Sequence, residues 1–159
     1  MPDLLVKLYG LNFDGHRKEY FDADIKIVRA LTPDKTKVLE FVRKEFNENW
    51  ANECERSFSK VPVSCFIAVR DQKMMGFACY DVTARGYFGP TGVHASERRR
   101  GVGTRLLFSC LIDMWDVEYG YAVIGGVADD AIDFYKKAAS ATVIPGSNPG
   151  IYKRMVEAG

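Results

Sequence analysis

The sequence Glu97-Arg98-Arg99-Arg100-Gly101-Val102-Gly103-Thr104-Arg105-Leu106-Leu107 contains three consecutive arginines followed by a Gly-x-Gly turn. An extended-looking run, Tyr87–Val93, precedes it, and apolar residues at helical spacing follow it through Trp115. The order is therefore strand, basic turn and helix. Glycine permits a tight turn, and the first N–H groups of a helix lie at the positive end of its dipole. The pattern predicts a binding site for a phosphorylated anion.

The same turn resembles a family signature. Arg98-x-x-Gly101-x-Gly103 is similar to the Q/R-x-x-G-x-G/A pyrophosphate loop of the GNAT superfamily, the acyl-CoA-dependent N-acyltransferases. A second segment, Ala-Ile-Asp-Phe-Tyr-Lys-Lys-Ala at 131–138, resembles the family's A-x-x-h-Y-x-K-x-G segment. Between the two motifs, Tyr121–Val127 is typical of a buried strand. The resemblance covers roughly Ile25 to the C-terminus.

Composition limits the class of protein. With 159 residues, of which 47% are hydrophobic, the chain is long enough for one domain with a core but hardly for two. The resemblance implies that this is a GNAT-like domain over residues 1–159, with 1–24 as an N-terminal extension carrying an extra strand. The net charge of +1 argues against nucleic-acid and polybasic membrane binding. The sequence contains neither a membrane-spanning apolar run nor a signal-peptide pattern, so we expect a cytoplasmic protein.

The four cysteines predict buried, reduced thiols. They show no C-x-x-C spacing and fall within apolar segments: Cys54, Cys65, Cys79 and Cys110. Neither His16 nor His94 adds the second ligand pair that a zinc site requires. The sequence therefore predicts no metal site.

Periodicity and turn residues predict a mixed α/β (α+β) fold. The predicted strands are Leu4–Leu8, Ile25–Arg29, Val63–Val69, Met75–Val82, Tyr87–Val93, Tyr121–Val127, Ala141–Ile144 and Ile151–Met155. The predicted helices begin after an N-cap at Thr32, span Asn49–Phe58, begin near Val102, and span Asp130–Ala139. This order matches a GNAT-like sheet of six to eight mostly antiparallel strands with about four helices.

A dinucleotide-binding fold is the main structural alternative. Gly101-x-Gly103 opens a helix, and Asp129 follows the next strand, where a ribose-binding acid could lie. However, Leu106 occupies the third glycine position, and the chain is too short for a second set of βαβ units. These departures favour the GNAT resemblance.

The resemblance implies that acetyl-CoA binds to main-chain groups. Two segments would supply them: Arg98, Arg99, Arg100, Gly101, Val102, Gly103 and Thr104 in the turn, and Thr91, Gly92, Val93 and Ala95 at the end of the preceding strand. In the family, that strand separates from the next one, and pantetheine fills the opening. The small residues Gly89, Pro90, Gly92, Gly125 and Gly126 suit such an approach, although strand glycines also mark bulges.

The resemblance also implies transfer to an amine with two proton movements. Tyr135 corresponds to the tyrosine that acts as general acid near the CoA sulfur, and a buried core tyrosine is the alternative. The general base is open because Tyr87–Val93 contains no carboxylate. Asp81 is the weak candidate that we name first, with Glu53, Glu55 and His94 as further candidates. Ala128 replaces an asparagine that many relatives carry, and Asp129 or Asp130 could substitute for it or cap the next helix.

The acceptor is predicted to be a primary amine of a small molecule or peptide, bound near Trp50, Phe58, Tyr80, Tyr87 and Phe88. The missing strand carboxylate leaves a second function open, an acyl-CoA-binding module or sensor without turnover. The arginine turn leaves nucleic-acid binding as a third, which the near-neutral charge disfavours. If the first and last predicted strands are open edges, a homodimer is expected, although Lys7, Lys153 and Arg154 oppose edge pairing.

Overall fold

The computed structural model describes residues 1–17, 24–98 and 100–157, which form a seven-stranded sheet with five α-helices. The strands are β1 (Leu4–Lys7), β2 (Lys26–Arg29), β3 (Cys65–Arg70), β4 (Lys73–Tyr80), β5 (Tyr87–Val93), β6 (Tyr121–Ile124) and β7 (Thr142–Val143). The helices are α1 (Asp14–Arg17), α2 (Lys35–Glu45), α3 (Glu48–Ser57), α4 (Val102–Asp116) and α5 (Asp129–Ala139).

The sheet has the order β2-β3-β4-β5-β6-β1-β7 and is mostly antiparallel. Among the described residues, β5 and β6 form the one parallel pair, with α4 as the crossover between them. This arrangement confirms the predicted mixed, mostly antiparallel fold. It excludes the dinucleotide-binding alternative, because that fold requires a run of parallel strands.

Alternating side chains of β3 and β4 divide the core between the two faces of the sheet. On one face, Ile67 and Phe77 pack with α2 and α3. On the other face, Ala68 and Ala78 pack with α4 and α5. The two helical layers therefore reach the strands from opposite sides.

Both ends of the chain differ from the expectation of open edge strands. β1 forms within the predicted Leu4–Leu8 segment, but it lies between β6 and β7 and pairs with both. The predicted strand Ile151–Met155 is wrong, since Gly150–Arg154 forms a 3₁₀ turn. The edges of the sheet are β2 and β7, so the strands on which the dimer was argued are not available for edge pairing.

Helix positions are close to those predicted. A 3₁₀ turn over Thr32–Asp34 carries Pro33 at its start, and α2 follows from Lys35. The predicted N-cap at Thr32 is therefore wrong, because Asp34 holds the N-cap position of α2. Asn47 caps α3 by accepting a hydrogen bond from the Trp50 N–H at 2.8 Å. None of the described helices has the length and apolar character needed to cross a bilayer.

Candidate active site

An opening in the sheet separates β5 from β6. Tyr87 and Phe88 pair with Val123 and Ile124, whereas β5 continues to Val93 alongside β4 alone. The separation begins at Gly89, whose φ of +115° is accessible mainly to glycine. A cavity of about 1020 Å³ occupies this region, and its walls include residues from both sides of the opening: Gly89, Pro90, Thr91 and the stretch Ile124, Gly125, Gly126, Val127 and Ala128.

The basic turn leads directly into α4. Gly101 is the N-cap residue with a φ of +78°, in the left-handed region where other residues are strained. The Gly101 carbonyl accepts from the Arg105 N–H at 3.1 Å, which closes the first helical turn. The N–H groups of Val102, Gly103 and Thr104 precede that bond and have no acceptor within the helix. Free N–H groups at a helix start are the feature on which the predicted anion site depends.

Arg98 and Arg100 of the turn are held by contacts within the protein. Glu97 is 1% exposed and pairs with Arg70 on β3 at 2.5 Å and with Arg100 at 2.9 Å. Arg98 Nε donates to the Val93 carbonyl at 3.3 Å. These contacts position the turn against the end of β5, while Arg99 lies outside the described residues. An anion would therefore meet main-chain amides before it meets the Arg100 side chain.

The residues at the end of β5 that are predicted to contact acetyl-CoA differ in their surroundings. Thr91 lines the cavity, and its hydroxyl donates to the Phe77 carbonyl at 3.0 Å. Val93 lies beside Gly103, where an added Cβ would stand 3.8 Å from Val93 Cγ2. Ala95 is exposed and opens the 3₁₀ turn that ends at the buried Glu97.

Three of the small residues are explained by aromatic packing. A Cβ on Gly92 would overlap the Phe46 ring, a Cβ on Gly125 would lie 3.0 Å from Tyr87, and one on Gly126 would lie 3.1 Å from Tyr152. Gly89 has open space around its Cα. The idea that all these glycines admit a ligand is therefore incomplete, because rings already occupy the side-chain direction at three of them.

Tyr135 projects from α5 into the cavity wall. Its side chain packs edge-on against Phe88 and Phe134, and the residue is 7% exposed. No side chain in the described part of the protein hydrogen-bonds its hydroxyl. Burial raises the pKa of Tyr135 above its ordinary value. The hydroxyl thus keeps its proton at neutral pH and has its donor available to a molecule in the cavity.

Glu53 enters the same cavity from α3. Its Oε2 accepts a hydrogen bond from the Thr83 hydroxyl and lies 3.5 Å from the Tyr152 hydroxyl. Burial raises the pKa of Glu53, although these two hydroxyls act in the opposite direction. A carboxylate with a raised pKa in a cavity has the character of a general base that works near neutral pH.

The other candidate bases have structural partners. Asp81 lies outside the cavity lining, and its two oxygens accept from the Gly86 N–H and the Tyr119 hydroxyl, each at 2.7 Å. Glu55 is exposed and pairs with Lys35 at 3.2 Å. His94 Nδ1 accepts from the Ser96 N–H at 3.1 Å and caps the 3₁₀ turn. Only Glu53, among these four, lines the cavity.

The aromatic residues predicted near the acceptor divide into two groups. Trp50 and Phe88 line the cavity, whereas Phe58, Tyr80 and Tyr87 lie outside its lining, and the Tyr80 hydroxyl donates to Asp113 at 2.9 Å. The sequence interpretation missed Thr83 and Tyr152. The Pro149-Gly150 pair, separated from Tyr152 only by Ile151, is a signal for a turn there instead of a strand.

The opening, the helix end and the cavity walls fit an acyl-CoA thioester. Main-chain amides at the start of α4 suit a pyrophosphate. The gap between β5 and β6 has unpaired main-chain groups for an amide-bearing arm, because β5 has no strand partner on that side beyond Phe88. Tyr135 and Glu53 supply a proton donor and a proton acceptor in the same cavity.

Comparison with known structures shows the same fold at low identity. A fungal β-N-acetylglucosaminidase has a region described as a GCN5-related glucosamine N-acetyltransferase, which matches with a TM-score of 0.71 and 12% identity over 90% of this chain and 19% of that one. A GCN5-related N-acetyltransferase from Sphaerobacter thermophilus matches with a TM-score of 0.65 and 15% identity over 90% of this chain and 48% of that one. An aminoglycoside acetyltransferase from a soil metagenome matches with a TM-score of 0.55 and 19% identity over 74% of this chain and 88% of that one.

The chain therefore spans 19% and 48% of the length of the first two structures. A search of curated proteins found no match. The sequence itself matches the Acetyltransferase (GNAT) family over residues 27–139, which includes the basic turn, both sides of the opening and Tyr135. Family match and fold agree, and the chain belongs to the GNAT acetyltransferase family.

Proposed function

We propose that this protein transfers an acetyl group from acetyl-CoA to a primary amine. The observation that carries the proposal is the separation of β5 from β6 beside the Gly101-led start of α4. When bound, acetyl-CoA supplies the acetyl group as an activated thioester. Main-chain groups of Thr91, Gly92, Val93 and Ala95 and of the turn from Arg98 through Thr104 hold it, with Arg99 included from the motif.

Glu53 is proposed as the general base, in preference to Asp81. An amine is protonated near neutral pH and must lose a proton before it can attack a carbonyl carbon. The Glu53 carboxylate accepts that proton directly or through one water, while the hydroxyls of Thr83 and Tyr152 orient it. Asp81 lacks this opportunity because both of its oxygens are already hydrogen-bonded away from the cavity.

Tyr135 is proposed as the general acid. Its hydroxyl is protonated at neutral pH, as a tyrosine ordinarily is, and burial raises its pKa further. Donation from this hydroxyl to the departing sulfur would keep the thiolate from recapturing the acetyl group. Tyr135 and Glu53 lie on helices that pack on opposite faces of the sheet, so a substrate between them would meet the acid and the base from different sides.

The acceptor side of the cavity favours a polar amine. Asn49, Asn52 and Glu53 stand three and four residues apart on α3 and line the cavity together with Trp50. Carboxamides and a carboxylate bind hydroxyl and ammonium groups, and an aromatic ring packs on the apolar face of such a molecule. Because two structural neighbours act on glucosamine or aminoglycosides, amino sugars belong in the first acceptor panel beside small amines, amino acids and peptides.

Two further proposals concern the cellular location and the oligomeric state of the protein. The described cysteines are all free and buried, in keeping with a reducing, cytoplasmic location. A homodimer is kept as a proposal, now through the exposed edge of β2 instead of the chain ends.

The test combines calorimetry with thiol release. Acetyl-CoA is titrated into the protein, and free CoA thiol is then measured with the acceptor panel. Binding with amine-dependent thiol release supports the proposal. Binding without release for any acceptor would favour the acyl-CoA-binding module, and a failure to bind would contradict the family function for this chain.

A further inference from the structure

Three cysteine sulfurs meet in the core. Cys54 on α3, Cys65 on β3 and Cys79 on β4 place their Sγ atoms within 4.8 Å of one another. Cys65 and Cys79 are direct partners across the antiparallel pair of β3 and β4. The separations along the sequence conceal this group, because two strands and a helix bring its members together. We call these three residues the thiol cluster.

The thiol cluster lies in apolar surroundings. Each of its residues is 0% exposed. The buried residues that surround it are apolar and include Val38, Val42, Ile67 and Phe77. Burial raises the pKa of the Cys79 thiol well above its usual value. Uncompensated charge is costly in an apolar core. Because binding of an ion displaces the thiol protons, the charge of the ion must neutralise the thiolates that remain.

Charge balance selects the ion. Three thiolates around a divalent ion leave one negative charge, and around a monovalent ion they leave two. A trivalent centre leaves none. Thiolates are soft ligands that prefer soft, polarisable centres. Trivalent arsenic and antimony have both properties, and they bind three sulfurs in a pyramid that needs no fourth ligand.

We propose that the thiol cluster is a binding site for trivalent arsenic or antimony. For arsenite the reaction is As(OH)₃ + 3 RSH → As(SR)₃ + 3 H₂O. Three S–H and three As–O bonds break, three As–S and three O–H bonds form, and no atom changes oxidation state. The product is neutral and suits the apolar core.

Access requires α3 to move away from the sheet, because the three sulfurs are buried beneath it. Binding is therefore expected to be slow, with a rate set by local opening, and to accelerate in low concentrations of urea. Once bound, the centre ties α3 to β3 and β4. It then stabilises the folded protein, since the unfolded chain has no preformed site.

The test uses the full chain with its thiols reduced. Arsenite is added, and native mass spectrometry, the sulfur–arsenic absorption band and thermal unfolding are followed. We expect one arsenic per chain with the loss of three protons, and a higher melting temperature. Cys110→Ala is the matched control, because Cys110 is also buried but lies in the other core cluster. It should bind arsenic as the wild type does, whereas Cys65→Ala and Cys79→Ala should lose it.

Several outcomes would overturn the proposal. They are retention of arsenic by both Cys65→Ala and Cys79→Ala, displacement of only two protons in the wild type, and no binding even in low urea. A larger rise in melting temperature with Zn²⁺ than with arsenite would overturn the charge argument. If the alanine variants fail to fold, the proton count of the wild type decides by itself.

Discussion

The Tyr152 hydroxyl lies 3.5 Å from Oε2 of Glu53, which joins the C-terminal 3₁₀ turn to α3 at the cavity. Thr83, which follows β4, donates to the same oxygen. Three separate segments of the chain thus meet at one carboxylate. Such convergence holds the carboxylate in one orientation, which general-base catalysis requires.

Replacing Glu53 by glutamine should lower kcat/KM by about 10²–10⁴-fold, because the amide keeps the shape but cannot accept the proton. In the wild type, activity should rise with pH through the raised pKa of Glu53, at a higher pH than for an ordinary glutamate. The variant should lack that rise. Glu55→Gln, on the exposed side of α3, is the control and should behave as the wild type. An unchanged profile in Glu53→Gln would remove Glu53 from catalysis.

In the wild type, the contribution of Glu53 to stability should change with pH in the opposite sense to activity. Because the pKa of Glu53 is raised on folding, its protonated form is favoured in the folded state. Its contribution to stability is fully present below the pKa of the unfolded chain and is lost as pH rises through the folded pKa. Relative to the wild type, the variant should therefore gain stability on going from acidic to neutral pH. Urea unfolding at both pH values measures this, and a relative loss would contradict it.

Tyr135→Phe should reduce turnover by about 10²-fold or more while acetyl-CoA binding stays close to that of the wild type, because only the proton donor is removed. Tyr119→Phe is the matched control. It deletes a hydroxyl that donates to Asp81 outside the cavity, so it should cost about 1 kcal/mol of stability and leave turnover unchanged. Equal turnover by the wild type and Tyr135→Phe, with a good acceptor, would assign Tyr135 to the core alone.

Gly101→Val and Gly103→Leu should each abolish acetyl-CoA binding with the fold largely kept. A side chain at Gly101 is strained by the φ of +78°, so the substituted turn would change shape and its amides would no longer face a bound anion. At Gly103 a long side chain would cover these amides. Gly120→Ala is the control, because Gly120 has open space and no positive φ. Calorimetry reports binding and circular dichroism reports the fold. Binding that survives both changes would refute the proposed pyrophosphate site.

A homodimer, if formed through β2, should depend on Val28. β2 is an edge strand, and Val28 is 43% exposed there. Val28→Lys adds charge to the edge and should shift the equilibrium to monomers. Sedimentation at micromolar concentration measures both proteins. A single wild-type species near 17.9 kDa would contradict the dimer.

The sequence predicts local features better than distant ones. The bounds of β5 and the start of α4 agree with the structure because the glycine turn and the helical spacing are local signals. The sequence names Glu53 only as one of several candidate carboxylates. Its surroundings come from distant parts of the chain, because Thr83 follows β4 and Tyr152 lies in the C-terminal turn. The segment Ile151–Met155 was misassigned because its apolar and aromatic residues are also typical of a strand. The thiol cluster depends on strand register, which spacing along the chain does not reveal.

The interior position of β1 affects how the chain folds during synthesis. Leu4 pairs with Ile124, and Leu5 pairs with Thr142. The ribosome therefore makes β1 long before either of its partners, and the first pair that can form, Lys7 with Tyr121, is separated by 114 residues. Until then β1 is an exposed apolar segment. Because so long a loop must close, the insertion of β1 into the sheet is slow. We expect the nascent protein to need protection of β1 until translation has passed β7.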